Sequence, residues 1–220
     1  MKIGITSYNL PHKKTQDLLD GLVKMPYEIT LFIMPFKKYK EREVLFQHRP
    51  YMFQGKSPEV LSKEHNIEVH DFSHSNYRIL ESQDYILIGG AGLISDDLIL
   101  ENKIINCHSG LTPLVRGLDS FKWAIINNLP VGNSLHFIDH TVDDGPIIYQ
   151  EQLEVLNNDT IESFSLKLYE REIEMLINFE RHIAHPRNLG LESNNPTMRM
   201  PLEKEKLLAS HFQAYKQTWT

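Results

Sequence analysis

Cysteine is almost absent from this chain of 220 residues, since Cys107 is the only one. A single cysteine excludes an internal disulfide framework and any zinc site built on several thiolates. This composition is typical of proteins in reducing compartments, so we expect the protein to be cytoplasmic. We also expect no metal, because no group of histidines and carboxylates has a convincing ligand spacing.

Long apolar runs are missing as well, and none approaches the length that a bilayer span requires. The first residues lack the basic segment followed by an apolar stretch that marks a signal peptide. We therefore expect a soluble protein without a membrane partner.

An excess of positive charge is also lacking, because the formal net charge is -6. Nucleic acid binds through basic surfaces and is accordingly not an expected partner.

Glycine is missing between Gly4 and Gly21, the stretch that directly follows the first predicted strand. A loop whose backbone amides surround a phosphate group normally depends on glycine. A phosphate-binding loop is therefore hard to build at this place.

The hydrophobic pattern alternates between short strands and helices, which is typical of parallel βαβ units. The apolar run 85–88 reads as a strand covered on both faces, and glycines end it at 89–92. Residues 34–54 follow neither period and are predicted to form a loop with one helical turn. Predicted strands are 1–6, 28–33, 67–69, 85–88, 104–106, 132–138 and 147–154, and predicted helices are 15–23, 57–65, 119–127, 160–182 and 203–215.

These elements predict an α/β fold with a mostly parallel, twisted sheet flanked by helices. The chain is long enough for one sizeable core, and the helix 160–182 should contribute Ile161, Phe164, Leu168 and Ile173 to it. We expect the main domain to comprise residues 1–184. Residues 185–220 begin with a segment rich in proline, asparagine and glycine, and are predicted to form a short appendage that packs on the domain or on a partner subunit.

Three polar residues suggest chemistry at the end of the central strand. Asn106 and His108 are two positions apart, so their side chains can leave the strand on the same face, and Asp143 follows in a downstream turn. A neutral donor, an imidazole and a carboxylate are what transfer of an acyl group to an amine requires. We expect Asp143 to raise the pKa of His108 by favouring imidazolium. Alternatively, Asn106 caps a turn, His108 is an ordinary polar residue and Asp143 only forms its turn.

The run 105–119, which reads INCHSGLTPLVRGLD, resembles the signature of folate-dependent formyltransferases, and residues 135–139 and 142–148 resemble its second half. The resemblance covers about residues 80–153. It implies a Rossmann-like formyltransferase domain over 1–184, with 10-formyltetrahydrofolate as co-substrate. It also implies a catalytic trio of Asn106, His108 and Asp143, because Asp143 rather than Asp144 matches the acidic position of the family pattern.

By the same resemblance, the loops 89–94 and 139–143 surround the pterin of the folate, mainly through backbone groups. The implied cofactor contacts are Gly89, Gly90, Ala91, Leu93, Ile94, Asp139, His140 and Asp143. The alternative for the glycines at 89–92 is a flexible turn between a strand and a helix. They do not form a dinucleotide-binding fingerprint.

The chain departs from the commonest family pattern directly after His108, where Ser109 and Gly110 resemble the variants found in sugar formyltransferases. We therefore expect Ser109 and Gly110 to contact the acceptor. Arg116 is expected to bind a phosphate or nucleotide, because its planar guanidinium suits oxyanions. Tyr8 is a further candidate substrate contact. The alternatives are a solvent-facing Arg116 and a Tyr8 that serves only packing.

Other acceptors of this family fit the sequence less well. The missing glycine loop weighs against glycinamide ribonucleotide, the purine-pathway acceptor, which remains the alternative. The acidic charge and the short tail weigh against methionyl-tRNA. We expect a homodimeric N-formyltransferase acting on a nucleotide-linked amino deoxysugar, for surface polysaccharides such as the O-antigen of lipopolysaccharide. A non-catalytic protein that binds folate or a nucleotide sugar, and an assembly subunit, are the alternatives from other classes.

Overall fold

The sheet of this protein has seven strands in the part of the chain that the computed structural model describes, residues 1–38, 42–49, 51–187 and 194–220. The strand order is β3-β2-β1-β4-β5-β6-β7. The strands are β1 (Lys2–Tyr8), β2 (Glu28–Met34), β3 (Glu68–Asp71), β4 (Tyr85–Ile88), β5 (Ile104–His108), β6 (Gly132–Phe137) and β7 (Ile147–Gln152). The helices are α1 (Lys13–Leu22), α2 (Pro58–His65), α3 (Tyr77–Glu81), α4 (Ser120–Ile126), α5 (Ile161–Ile177), α6 (Leu202–Glu205) and α7 (Leu208–Trp219). The predicted α/β fold is confirmed.

The first of two compact units comprises residues 1–39 and 51–106. Strand β1 pairs in parallel with β2 and with β4, β2 pairs in parallel with β3, and β4 pairs in parallel with β5. The apolar residues Ile3, Ile5, Ile86 and Leu87 of β1 and β4 are fully buried. Strands buried on both faces form such apolar runs, which is why the sequence predicted these strands.

The second unit comprises residues 40–50 and 107–220. Strands β6 and β7 pair in an antiparallel ladder that runs from Gly132 opposite Gln152 to His136 opposite Ile147. A cluster of buried apolar residues joins Phe121 of α4, Phe164 of α5 and Phe212 and Tyr215 of α7. Burial raises the pKa of Tyr215 to about 12, although its hydroxyl accepts a hydrogen bond from the Val131 amide, which acts in the opposite direction.

The predicted C-terminal tail contributes directly to this core. Leu208, Phe212 and Tyr215 are buried on the face that α7 turns toward the cluster, and α7 packs against α4. The expected helix 203–215 is divided into α6 and α7, which meet at Lys206 and Leu207. The predicted domain boundary between residues 184 and 185 concerns independent folding and stays a prediction.

The long helix is shorter than the sequence pattern predicts. Helix α5 ends at Ile177, and a 3₁₀ turn follows at Phe179–Arg181. The expected core residue Ile173 is only half-buried, whereas its neighbour Glu172 is fully buried. An acidic residue is tolerated there because Arg49 pairs with its carboxylate. Helical periodicity alone cannot anticipate such a partner.

The segment 34–54 contains no helix among its described residues; residues 39–41 and 50 lie outside the described part. The expected helical turn is therefore absent from 35–38, 42–49 and 51–54, where only turns and bends occur. Side-chain contacts hold residues 42–49 in the second unit, for example the ion pair of Arg42 with Asp119. The short helix α3 was not predicted. None of the described helices is both long and apolar enough to cross a membrane.

Candidate active site

The centre of the candidate site is the pair formed by His108 and Asp143. The Nδ1 atom of His108, at the end of β5, lies 3.3 Å from Oδ2 of Asp143, in the loop between β6 and β7. The backbone amide of Gly117 donates a hydrogen bond of 3.1 Å to the same carboxylate oxygen. Asp143 has φ 50, a left-handed conformation that aspartate tolerates better than most residues. The structure thus brings together the imidazole and the carboxylate that the sequence suggested.

The other ring nitrogen of His108 faces Ser120 at the start of α4. The Ser120 hydroxyl oxygen lies 3.0 Å from Nε2 and 2.7 Å from the Gly117 carbonyl oxygen, so its single hydrogen can be donated to either of these two acceptors. An Nδ1–H tautomer places its donor against Asp143 and leaves Nε2 as an acceptor. Sequence reasoning missed Ser120, because it precedes the apolar helix pattern and resembles an ordinary helix start.

His136 is a second residue that the prediction missed. Its Nε2 lies 3.9 Å from Oδ1 of Asp143, and its Nδ1 donates to the carbonyl of Phe137 at 2.8 Å. Strand β6 is buried throughout, so a histidine at its next-to-last position is unusual. This histidine in a predicted strand was the sequence signal that could have identified His136 as a site residue. Asp143 therefore has an imidazole near each of its two carboxylate oxygens.

Burial controls the protonation of this site. It lowers the pKa of His108 below its ordinary value, and outweighs the Asp143 carboxylate, which acts to raise it. The charges of His136 and Arg49 lower the His108 pKa further. Burial likewise lowers the pKa of His136. The expected effect of Asp143 on the His108 pKa is thus present, but desolvation exceeds the carboxylate attraction and the overall shift is downward. A neutral imidazole beside a carboxylate can accept a proton and pass it on.

Asn106 lies in β5, two positions before His108, as the sequence predicted. It is half-buried and belongs to the first compact unit, whereas His108 and Asp143 belong to the second. The joint action of its amide with the pair stays a prediction.

The first predicted folate loop directly follows β4 in the first unit. Gly89 is packed so tightly that a Cβ atom would lie 2.5 Å from the Thr6 carbonyl oxygen. The hydroxyl of Tyr8 donates a 2.5 Å hydrogen bond to the carbonyl of Ala91. Beyond this point the loop opens, since a Cβ at Gly92 would meet nothing within 4 Å and the Leu93 side chain is 88% exposed. Tyr8 thus contacts the predicted folate loop, and its predicted contact with substrate stays a prediction.

The second predicted folate loop, 139–143, lies in the second unit. The Oδ1 atom of Asp139 accepts hydrogen bonds from the amide and the hydroxyl of Thr141 at 2.8 and 2.6 Å. His140 is exposed. The contacts of Gly89, Gly90, Ala91, Leu93, Ile94, Asp139, His140 and Asp143 with folate remain predictions, because the two loops belong to different units.

The residues expected to contact the acceptor already have protein partners. Ser109 is buried, and its hydroxyl lies 3.5 Å from a carboxylate oxygen of Glu172. The carbonyl of Gly110 accepts a hydrogen bond from the Ser134 hydroxyl at 2.7 Å. The Arg116 side chain is only 12% exposed and pairs with Asp144 at 3.1 Å, so it does not face solvent freely. Acceptor contacts of these residues stay predictions.

Metal ligands are not grouped in the described ranges: no set of three or more His, Cys, Asp or Glu there could hold a metal ion. The expectation of a metal-free reaction stays a prediction, which chelation can test.

The sequence and fold are similar to known formyltransferases. The profile of the family described as formyl transferase matches residues 57–179. The phosphoribosylglycinamide formyltransferase of Bacillus subtilis (strain 168) is 30% identical over 141 residues, which are 63% of this chain and 70% of that protein.

Two solved structures extend the similarity of the fold. A sugar N-formyltransferase from a Shewanella species superposes with a TM-score of 0.60 at 18% identity, covering 96% of this chain and 87% of that one. A formyltransferase from Anoxybacillus kamchatkensis, in complex with UDP-4,6-dideoxy-4-formamido-L-AltNAc and tetrahydrofolate, has a TM-score of 0.57 at 19% identity and covers 98% and 94%. With the profile matching more than half of its length, and His108 paired with Asp143 at the end of the matched strand, this chain belongs to the formyl transferase family.

Proposed function

We propose that this protein transfers the formyl group of 10-formyltetrahydrofolate to the amine of a nucleotide-linked amino deoxysugar, in the synthesis of a surface polysaccharide. The observation that carries the proposal is the 3.3 Å contact between His108 and Asp143 at the end of the strand that also holds Asn106. A proton acceptor beside a carboxylate, with an amide donor two positions earlier on the strand, matches the needs of formyl transfer to an amine.

The folate supplies the formyl carbon on its N10 atom. The acceptor nitrogen forms a bond to that carbon, the bond from the carbon to N10 breaks, and the proton lost by the acceptor nitrogen replaces the formyl group on N10. Asn106 donates its amide hydrogen to the formyl oxygen as negative charge develops there, and one such donor is worth about 10²–10³ in rate. His108, neutral because it is buried, moves the proton between the nitrogens, with Asp143 as its partner.

The residues of both predicted folate loops fit this co-substrate. The stretch from Gly92 to Leu93 offers an accessible backbone and an exposed apolar side chain, which suits a flat ring with hydrogen-bonding edges. In the second unit, Val142 is 43% exposed beside Asp143. We propose pterin contacts for each of the two loops within its own unit.

The region after β1 favours a nucleotide-linked acceptor over glycinamide ribonucleotide. Side chains fill this place: the rings of Tyr8 and His12 pack edge to face at 5.1 Å, and those of Tyr8 and Phe36 do so at the same distance. A glycine-poor loop lined with aromatic rings suits a base better than a bare phosphate group. The sugar formyltransferases named above are similar over almost the whole chain, which also supports this choice.

Glycinamide ribonucleotide is the second candidate acceptor, because the Bacillus subtilis relative at 30% identity is named as the enzyme that formylates it. The acceptors can be separated in one experiment. The purified protein is incubated with 10-formyltetrahydrofolate and, in parallel, UDP- and TDP-linked amino sugars, glycinamide ribonucleotide and charged methionyl-tRNA. We expect mass spectrometry to detect a formylated amino-sugar nucleotide. Turnover of glycinamide ribonucleotide alone would replace the proposed acceptor by the second candidate. If no compound is formylated, the protein is not the enzyme proposed.

A further inference from the structure

The C-terminal segment, residues 194–200, lies against the loop that contacts both members of the candidate catalytic pair. This loop, residues 116–120, is called the site loop below. Gly117 donates its amide hydrogen to Asp143, and Ser120 places its hydroxyl 3.0 Å from Nε2 of His108. The position of the site loop therefore affects the carboxylate and the imidazole together.

The site loop has a conformation that requires support from outside. Gly117 has φ 94 and Asp119 has φ 54, so two of its residues lie in the left-handed region. Conformations of this kind persist when the surrounding structure holds them in place. A Cβ atom at Gly117 would lie 2.5 Å from both the amide nitrogen and the carbonyl oxygen of Thr197, which shows how closely the C-terminal segment approaches.

Thr197 supplies that support with both its backbone and its side chain. Its amide donates to the Arg116 carbonyl at 2.8 Å, and its carbonyl accepts from the Leu118 amide at 2.8 Å. Its hydroxyl lies 2.9 Å from the Arg116 carbonyl and 2.8 Å from the Leu118 carbonyl. The single hydroxyl hydrogen of Thr197 can thus be donated to the carbonyl on either side of Gly117, whose amide donates to Asp143.

Neighbouring contacts hold the same two segments together. The guanidinium of Arg116 donates to the Asn194 carbonyl at 2.6 Å, and the Asn194 amide donates to the Leu114 carbonyl at 2.8 Å. The indole of Trp123 donates to the Met198 carbonyl at 2.7 Å. These contacts hold the site loop and the residues beside it to a segment that the sequence pattern marked as an appendage.

We propose that Thr197 is a positioning residue which, by fixing the site loop, sets the geometry between His108 and Asp143. Thr197 touches neither residue itself. Its role in turnover rests on the proposed function, whereas its effect on the histidine can be measured in the free protein. Reactions that depend on placed groups are sensitive to displacements of about 1 Å, which can cost up to 10²-fold in rate.

The test uses Thr197→Val, which keeps the shape of the side chain and removes its hydroxyl. Thr197→Ser keeps the hydroxyl, and Thr218→Val is the matched control, because Thr218 is exposed and its hydroxyl bonds to Ala214 within α7. The His108 ring is followed by NMR as a function of pH, with His108→Gln to assign its signal. The charged and titratable groups that act on His108 are Asp143, His136, Arg49 and His48.

We expect the pKa of His108 to fall further in Thr197→Val, because the carboxylate that raises it is less firmly held, and to stay unchanged in Thr197→Ser and Thr218→Val. In the transfer assay, kcat should fall roughly tenfold in Thr197→Val while both KM values stay within about twofold. Asn194→Ala removes the bond from the same C-terminal segment to the Leu114 carbonyl, just before the site loop. It should shift the His108 pKa in the same direction by less, and it replaces Thr197→Val if that variant does not fold.

An unchanged His108 pKa in both Thr197→Val and Asn194→Ala would overturn the positioning role. So would an equal shift in Thr197→Ser, since the hydroxyl would then not be the group responsible. If the wild-type protein formylates no acceptor, the proposed function fails, while the titration still decides whether Thr197 fixes the pair.

Discussion

The guanidinium of Arg49 binds both carboxylate oxygens of Glu172, with Nε 3.0 Å from Oε2 and Nη2 2.6 Å from Oε1. The Glu172 side chain is fully buried and that of Arg49 is 26% exposed. Burial lowers the pKa of Arg49, but the Glu172 carboxylate outweighs this effect and raises it overall. The pair joins residues 42–49 to α5, directly beside Ser109.

Removing one partner of this ion pair should lower the free energy of unfolding more than replacing both partners with apolar residues. Arg49→Met leaves the Glu172 carboxylate buried without its partner, and we expect the free energy of unfolding to fall by about 3 kcal/mol. The double variant Arg49→Met/Glu172→Met should lose less than the sum of the single changes, because no unpaired charge remains. Urea denaturation measures both. Lys63→Met, at an exposed pair with Glu59, is the control and should change stability little. Additive losses would contradict this prediction.

The catalytic pair should govern turnover without governing folate binding. His108→Ala and Asp143→Asn should each lower kcat by about 10²-fold or more, while folate affinity stays within about tenfold, as expected when contacts to the transition state are removed. Steady-state kinetics and a fluorescence titration with the folate measure the two quantities. His185→Gln, at an exposed position, serves as the control. Near wild-type kcat in both variants would refute the assigned roles.

Acid should destabilise the protein in the range where histidine titrates. Burial lowers the pKa of His48, His108 and His136 below the ordinary value of 6.5. Below that value the unfolded chain binds protons that the folded protein excludes, so the free energy of unfolding should fall as the pH drops from about 7 to 5. Each histidine contributes at most about 1.4 kcal/mol per pH unit.

Urea denaturation at pH 5, 6 and 7 gives the slope directly. His136→Asn should reduce the dependence of stability on pH, whereas His185→Asn, at an exposed position, should leave it unchanged. A stability that is constant over this range, or a slope unaffected by His136→Asn, would show that these histidines do not stay neutral in the folded protein.

Two glycines should respond very differently to alanine. At Gly117 a Cβ atom would lie 2.5 Å from two backbone atoms of Thr197, and φ is 94. Gly117→Ala should therefore lower the free energy of unfolding by about 2 kcal/mol or more and lower kcat as well. At Gly92 a Cβ would meet nothing within 4 Å, so Gly92→Ala is the matched control for stability. Thermal unfolding compares the two, and equal melting temperatures would contradict the packing described here.

Much of the fold was readable because its central strands are uniformly apolar. The predicted strand 85–88 agrees with β4, and the predicted strand 104–106 lies within β5. Chain alternation alone predicted the parallel layout. The C-terminal end of α5 was predicted several residues too late. The amphipathic pattern continues beyond Ile177 into a 3₁₀ turn, which has no distinct side-chain pattern.

The residues of the candidate site were likewise predicted only in part. The family resemblance implied a site that contains both His108 and Asp143, and the structure places them 3.3 Å apart. Sequence patterns could not identify Ser120 or His136, because tertiary contacts bring these residues to His108 and Asp143. The sequence predicted that Asp143 raises the His108 pKa, but it could not give the overall direction of the shift, since burial is a property of the assembled structure.

The sequence by itself determined the strand and helix alternation and the family signature, because apolar periodicity and motif residues lie at neighbouring positions. Through that signature it also pointed to His108 and Asp143 as the candidate catalytic pair. Only the tertiary structure decided the protonation of His108, the partner of Glu172 and the contact of Thr197 with the site loop. These depend on desolvation and on hydrogen bonds between residues far apart in the chain, which act only after the chain has folded.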